Sequence, residues 1–184
     1  MSTTEDPLAL ESQICFALAV ASRSVIAAYR SVLEPLRLTH PQYLVMLALW
    51  QHETLPVKRV AEMLRLEPAT VSPLIKRLET LGYVSRERSR QDERIVEVSL
   101  TAAGRDLRSS AESIPGTMMA KLGMDEAGLR SLHATMTELI AAVDAAESTT
   151  IRRASAAGSG DRAGAGDPGV GEPGAVGEPA SRGA

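Results

Sequence analysis

Apolar residues at Leu8, Leu10, Ile14, Leu18, Ala21, Val25, Ala28, Tyr29 and Val32 recur every two to four positions, which predicts a long helix over residues 7–34 closed by Pro35. After the LRLTHP connection, Pro41 suits a first helical turn, and YLVMLALWQH (43–52) is apolar on nearly every face, as a central core helix must be. Leu55-Pro56-Val57 predicts a short strand or turn. Two short helices follow: 58–65, with Val60, Ala61 and Leu64 on one face, and 68–81, opened by Pro68, lined by Val71, Leu74, Ile75, Leu78 and Leu81, and ended at Gly82. Pro73 inside the second requires a bend or a late start, since its missing N–H costs up to ~3 kcal/mol in a helix interior.

Residues 83–88 and 95–100 read as strands, the second alternating Val96, Val98 and Leu100 with Glu97 and Ser99, and SRQDER forms a charged turn between them. Thr101 is the expected N-cap of a helix over 102–122 that is interrupted at Pro115-Gly116, and Asp125 caps a last helix striped by Leu129, Leu132, Met136, Leu139, Ile140 and Val143. This order is mainly α with a small β-wing, a winged helix-turn-helix flanked by long helices. The expected organisation is an N-terminal helix (1–34), a DNA-binding region (35–101), C-terminal helices (102–151) and a Gly/Pro/Ala-rich tail (152–184). That tail has no Leu, Ile, Met or aromatic residue, so it cannot offset its ordering entropy, and disorder is expected.

The formal net charge of −3 does not announce a nucleic-acid binder, so the charge distribution decides. Over residues 58–94, Lys58, Arg59, Arg65, Lys76, Arg77, Arg86, Arg88, Arg90 and Arg94 outnumber Glu62, Glu67, Glu79, Glu87, Asp92 and Glu93, a local excess of three positive charges where phosphates would sit. The helix 68–81 exposes Ala69, Thr70, Ser72, Lys76 and Arg77 opposite its apolar stripe, which suits base-edge and phosphate contact in double-stranded DNA. Arg94 at the tip of the ribbon can reach a minor groove, with Asp92 placed to hold its guanidinium in a forked hydrogen bond. Arg86 adds a third basic group from the strand.

One cysteine, Cys15, excludes an internal disulfide framework and any paired-cysteine zinc or redox motif, which suits a reducing cytoplasm. The acidic N-terminus shows no export signal, and the early apolar stretch Ile14–Ala21 is too short to span a bilayer, so no membrane partner is expected. His40, His52 and His133 lack metal-ligand spacing and the glycines of the folded part are isolated, so neither metal nor cofactor is expected. A thiol peroxidase would need a resolving cysteine or a reductase-linked motif; the chain shows neither, and it is read as a non-enzyme.

The segments LESQICFALAVASRSV, THPQYLVMLALW, TVSPLIKRLETLGYVSRERSRQDERIVEVSLTAAG and IPGT resemble the organic hydroperoxide resistance regulators, a branch of the MarR family, in its one-cysteine type, over about residues 8–147. The resemblance implies a cytoplasmic homodimer, held through the N- and C-terminal helices, that represses from a palindromic operator. It implies that Cys15 senses organic hydroperoxides, with Tyr29 as its hydrogen-bonding partner, Thr70 and Arg77 as recognition-helix contacts, and Asp92 with Arg94 as the wing pair. Ala19 and His40 stand where two tyrosines are usual near the sensor, and Pro68 and Ala69 replace the usual Ser and Gly. Phe16, Tyr43 and Trp50, with His40, are the expected walls of the sensor pocket. With no second cysteine, a low-molecular-weight thiol is the expected partner of oxidised Cys15. The competing reading is a repressor of the same family released by a small aromatic ligand, with Cys15 structural.

Overall fold

Gln13 marks where the first helix starts, later than the apolar repeat predicts. Its backbone is extended (φ −83°, ψ 121°), and its Nε2 donates to the carbonyls of Pro7 at 2.7 Å and Ala9 at 3.3 Å. These bonds hold the preceding segment out of the helix, and Leu8 and Leu10 stay exposed there. The helix α1 therefore spans Ile14–Leu33, and only Leu33 on it is fully buried. The computed structural model describes residues 6–158, with side chains through residue 150. They divide into two units, one up to Arg130 and one from Ser131 onward.

In the first unit, α2 (His40–His52) is the core helix expected. At its start the Thr39 amide donates to Gln42 Oε1 at 2.9 Å, the reach-back half of a capping box. Tyr43, Val45, Met46, Ala48 and Leu49 are buried along it, against Leu33, Val60, Val71, Ile75, Leu78, Val98 and Ile114. Truncating a fully buried leucine such as Leu49 to Ala would cost about 2–5 kcal/mol. The tandem helices are α3 (Val57–Leu64) and α4 (Pro68–Thr80).

Three strands, β1 (Thr54–Pro56), β2 (Val84–Arg88) and β3 (Val96–Leu100), form an antiparallel sheet in the order β1-β3-β2. Leu55 and Arg86 both pair with Val98, so the β2–β3 ribbon is anchored on the buried side by β1. Gly82 adopts φ +79° and turns α4 into β2, a conformation that other residues reach only with strain.

The expected helix over 102–122 is two helices, α5 (Ala102–Ala111) and α6 (Ile114–Leu122), with Pro115 in the first turn of α6. Thr101 caps α5 as expected: its Oγ1 accepts from the Gly104 amide at 3.1 Å and donates to the Gly82 carbonyl at 2.6 Å. Gly104 is required where it stands, because a Cβ there would fall 1.9 Å from the Tyr83 carbonyl oxygen. Asp125 caps α7 (Glu126–Gly158) by accepting from the Gly128 amide at 2.7 Å.

Within the second unit, α7 continues to Gly158, past the expected end of the folded part near Ile151, and Leu132, Leu139, Ile140 and Val143 are exposed along it. The rest of the expected disordered tail, 159–184, lies outside the described residues.

Candidate nucleic-acid interface and sensor thiol

The apolar stripe of α4 decides what the helix can offer to a duplex. Val71, Ile75 and Leu78 are buried at spacings of four and three, which turns Ala69, Thr70, Ser72, Lys76 and Arg77 outward, as the sequence predicts. The helix neither starts late nor stops at Pro73. That proline lies on the exposed face, where water can reach the Ala69 carbonyl that would otherwise have accepted its N–H. Ser72 Oγ donates to the Pro68 carbonyl at 2.8 Å, so its hydroxyl proton is held on its own helix rather than directed outward.

Between α4, β1 and the ribbon lies a groove of about 350 Å³. Its floor is apolar, with Val57, Ile75 and Val96, and Lys58, Arg86 and Arg94 stand on its walls. Three cations around a concave surface of this kind suit the sugar–phosphate backbone of a duplex.

Two expected contacts differ. Asp92 Oδ1 accepts from the Arg94 backbone amide at 3.0 Å, and among the described residues no ion pair joins the Asp92 carboxylate to the Arg94 guanidinium. The carboxylate closes the tight wing turn, with the Ile95 amide on the Asp92 carbonyl at 2.9 Å, and so the Arg94 side chain is left to line the groove. Arg86 is engaged already: its Nε and Nη2 lie 2.8 and 2.6 Å from Glu79 Oε2 on α4. Sequence reading missed this pair, which spans the Gly82 turn. The guanidinium holds the Glu79 carboxyl below its ordinary range by hydrogen bonding.

Cys15 lies in the first turn of α1 and is exposed. It does not meet Tyr29 in the same chain, because fourteen residues of helix separate them by roughly 21 Å. Tyr29 stands instead beside His40, with ring centroids 5.0 Å apart, and Tyr43, at 6.0 Å; Tyr43 contacts Trp50 at 6.2 Å. Three of the expected pocket residues, His40, Tyr43 and Trp50, thus form one aromatic row with Tyr29, and Phe16, next to Cys15, is not among them. Burial pushes the Tyr29 phenol up, burial and then Tyr29 push Tyr43 up, and burial pushes the His40 imidazole down. At neutral pH the row carries no charge, and both phenols keep their donor protons.

The end of the row opens on a cavity of about 220 Å³ lined by Tyr43, Leu47, Trp50, Gln51, Arg108, Ala111, Glu112 and Pro115. The exposed apolar residues of α1 are Ile14, Val20 and Ile26. By length and composition alone, residues Ile14–Leu36 would suffice to cross a membrane. However, the helix packs on α2 and α6, and Lys121 of α6 donates to Ser31 Oγ at 3.0 Å, which makes it part of the folded unit.

Residues 27–110 match the family model described as transcriptional regulator SarA/Rot. An organic hydroperoxide resistance transcriptional regulator of Bacillus subtilis is 40% identical over 140 residues, which cover 76% of this chain and 95% of that protein. Among solved structures, reduced AbfR bound to DNA, from Staphylococcus epidermidis, is 27% identical with a TM-score of 0.66, covering 73% of this chain and 92% of that one. Disulfide-formed AbfR is 28% identical with a TM-score of 0.54, covering 76% and 92%.

Proposed function

The chain belongs to the MarR family of winged-helix transcriptional regulators, in the branch of the organic hydroperoxide resistance regulators, and from that premise we propose that it is a cytoplasmic homodimeric repressor released from a palindromic operator when Cys15 is oxidised by an organic hydroperoxide. The observation that carries this reading is the place of Cys15: an exposed thiol on a helix whose large apolar residues Ile14, Val20 and Ile26 lack cover among the described residues.

A second copy supplies that cover. If two α1 helices cross antiparallel about a two-fold axis near Ser22, then Cys15 of one chain faces the partner's Tyr29, and the reverse holds by symmetry. Ala19, Ala21, Ser22 and Ser24 are small enough to allow a close crossing. The dimer thereby restores the contact that one chain cannot make. The exposed stripe of α7, with Leu132, Leu139, Ile140 and Val143, provides further apolar surface for the same assembly.

In the chemical step the Cys15 sulfur, as thiolate, attacks the terminal peroxide oxygen. An S–O bond forms, the O–O bond breaks, and the leaving alkoxide takes a proton to become an alcohol. The sulfur loses two electrons, giving a sulfenic acid. A small cellular thiol then condenses with it, releasing water and leaving a mixed disulfide. Either product adds polar bulk at a packed dimer base, which breaks the contact with the partner's Tyr29 and changes the separation of the two reading heads. A palindrome fixes that separation at about one helical turn of DNA, so repression lifts. The experiment is operator release under cumene hydroperoxide: wild type should leave the DNA and Cys15→Ser should stay bound, and release of both would overturn the reading.

The aromatic cavity beside Trp50 supports a second reading. Arg108 shares its lining with Tyr43 and Trp50, a cation and two rings that suit a small aromatic carboxylate. Release of Cys15→Ser by salicylate without peroxide would favour it, with Cys15 then structural.

A further inference from the structure

Sequence-independent DNA binding is governed by how many cations a protein can place on phosphates. The groove beside α4 presents Lys58, Arg86 and Arg94, yet these three differ in their surroundings. Among the described residues Lys58 and Arg94 take part in no ion pair, whereas Arg86 donates from Nε to Glu79 Oε2 and keeps Nη2 within ion-pair distance of the same oxygen. Strand alternation puts Arg86 on the same sheet face as buried Val84, which directs it toward α4, and Glu79 lies one residue before the end of that helix. The connection is closed by the tight Gly82 turn, so this ion pair adds a second tie between recognition helix and wing.

We propose that Glu79 is a positioning residue that limits sequence-independent DNA binding: it holds Arg86 against α4 and thereby withholds that guanidinium from the phosphate backbone. The proposal rests on the DNA-binding reading above. Both side chains are about one-third exposed, at 36% for Glu79 and 35% for Arg86, so the pair adds little to stability and its consequence lies in where the charge is kept. Hydrogen bonding from Arg86, with Lys76 contributing charge, keeps the carboxylate ionised over the pH range in which DNA is bound. A phosphate that takes Arg86 through Nε and Nη2 must first displace this carboxylate. Lys58 and Arg94 face no such competition.

The test measures binding of the full chain to a fluorescein-labelled random-sequence duplex from about 50 to 200 mM salt. Glu79→Ala should bind this duplex roughly three- to tenfold more tightly at the low-salt end and steepen the log–log salt slope by about 0.9, the value of one added phosphate contact. Adding Arg86→Ala to Glu79→Ala should return the slope to that of wild type. If Glu79→Ala fails to fold by circular dichroism, Glu79→Asp carries the same expectation, since it keeps the charge and is one methylene too short to hold Arg86. An unchanged slope in the folded single variant overturns the proposal. So does a steep slope that persists in the double variant, because the effect would then come from the lost negative charge and not from Arg86. Wild-type protein with no salt-dependent duplex binding at all would sink the DNA-binding reading and this inference with it.

Discussion

The indole N–H of Trp50 on α2 donates to the carbonyl of Gly104 on α5 at 2.8 Å. Trp50 ends the aromatic row that begins at Tyr29, and Gly104 lies in the first turn of the helix that follows the wing. One hydrogen bond therefore joins the aromatic layer to the helix that packs on β3. Trp50→Phe keeps the ring and removes the donor, leaving the Gly104 carbonyl unpaired by indole. The expected loss is about 0.5–1.5 kcal/mol, seen as a thermal midpoint lowered by a few degrees in a melt followed by circular dichroism. An unchanged midpoint would mean that water replaces the indole without penalty.

His40 sets a pH dependence whose sign is determined. Burial lowers its folded-state value below the ordinary 6.5, so between the two values the unfolded chain binds more protons than the folded one. Stability is therefore full above about pH 6.5 and falls as pH drops toward the folded value. The position of His40 in the first turn of α2, at the positive end of the helix dipole, acts in the same direction. Melts at several pH values between about 5 and 8 should show a decline on the acid side that is smaller in His40→Gln. Identical acid-side slopes would remove His40 as the cause.

At the reading head, Arg94→Ala removes a groove cation without touching the wing turn, because Asp92 holds the backbone amide and not the guanidinium. Operator affinity should fall by roughly ten- to a hundredfold, as expected for a lost charged contact of about 1.5–3 kcal/mol. The oligomeric state by size exclusion should stay as in wild type. Asp92→Ala differs, since it removes the acceptor that shapes the turn, and its effect should include greater mobility of residues 89–95 in amide exchange.

The parts of this structure that were legible in the sequence are those governed by repeating burial. Val71, Ile75 and Leu78 locate α4, and Val98 and Leu100 place β3 against the core, because each pattern has one period and one buried face. The caps at Thr101 and Asp125 were legible for a similar reason, since each acts within three residues of itself. The start of α1 was not: Leu8 and Leu10 extend the apolar repeat but stay exposed among the described residues, and Gln13 takes up the local carbonyls. The wing pair was misassigned because a carboxylate two residues from an arginine can reach the amide more cheaply than the guanidinium. Glu79 and Arg86 meet only after Gly82 turns the chain back, which no linear spacing reveals. Cys15 and Tyr29 are not brought together within one chain, since helix rise separates what the family resemblance pairs.

The account depends on oxidation at one sulfur changing how the protein holds DNA. The most direct measurement divides one preparation into reduced and hydroperoxide-treated halves, confirms by peptide mass mapping that Cys15 and none of the seven methionines has gained oxygen or a thiol adduct, and titrates each against the same labelled operator. The account predicts tight binding by the reduced half and a large loss of affinity in the oxidised half, reversed by reductant when the adduct is a mixed disulfide. Equal affinity of the two halves would contradict it.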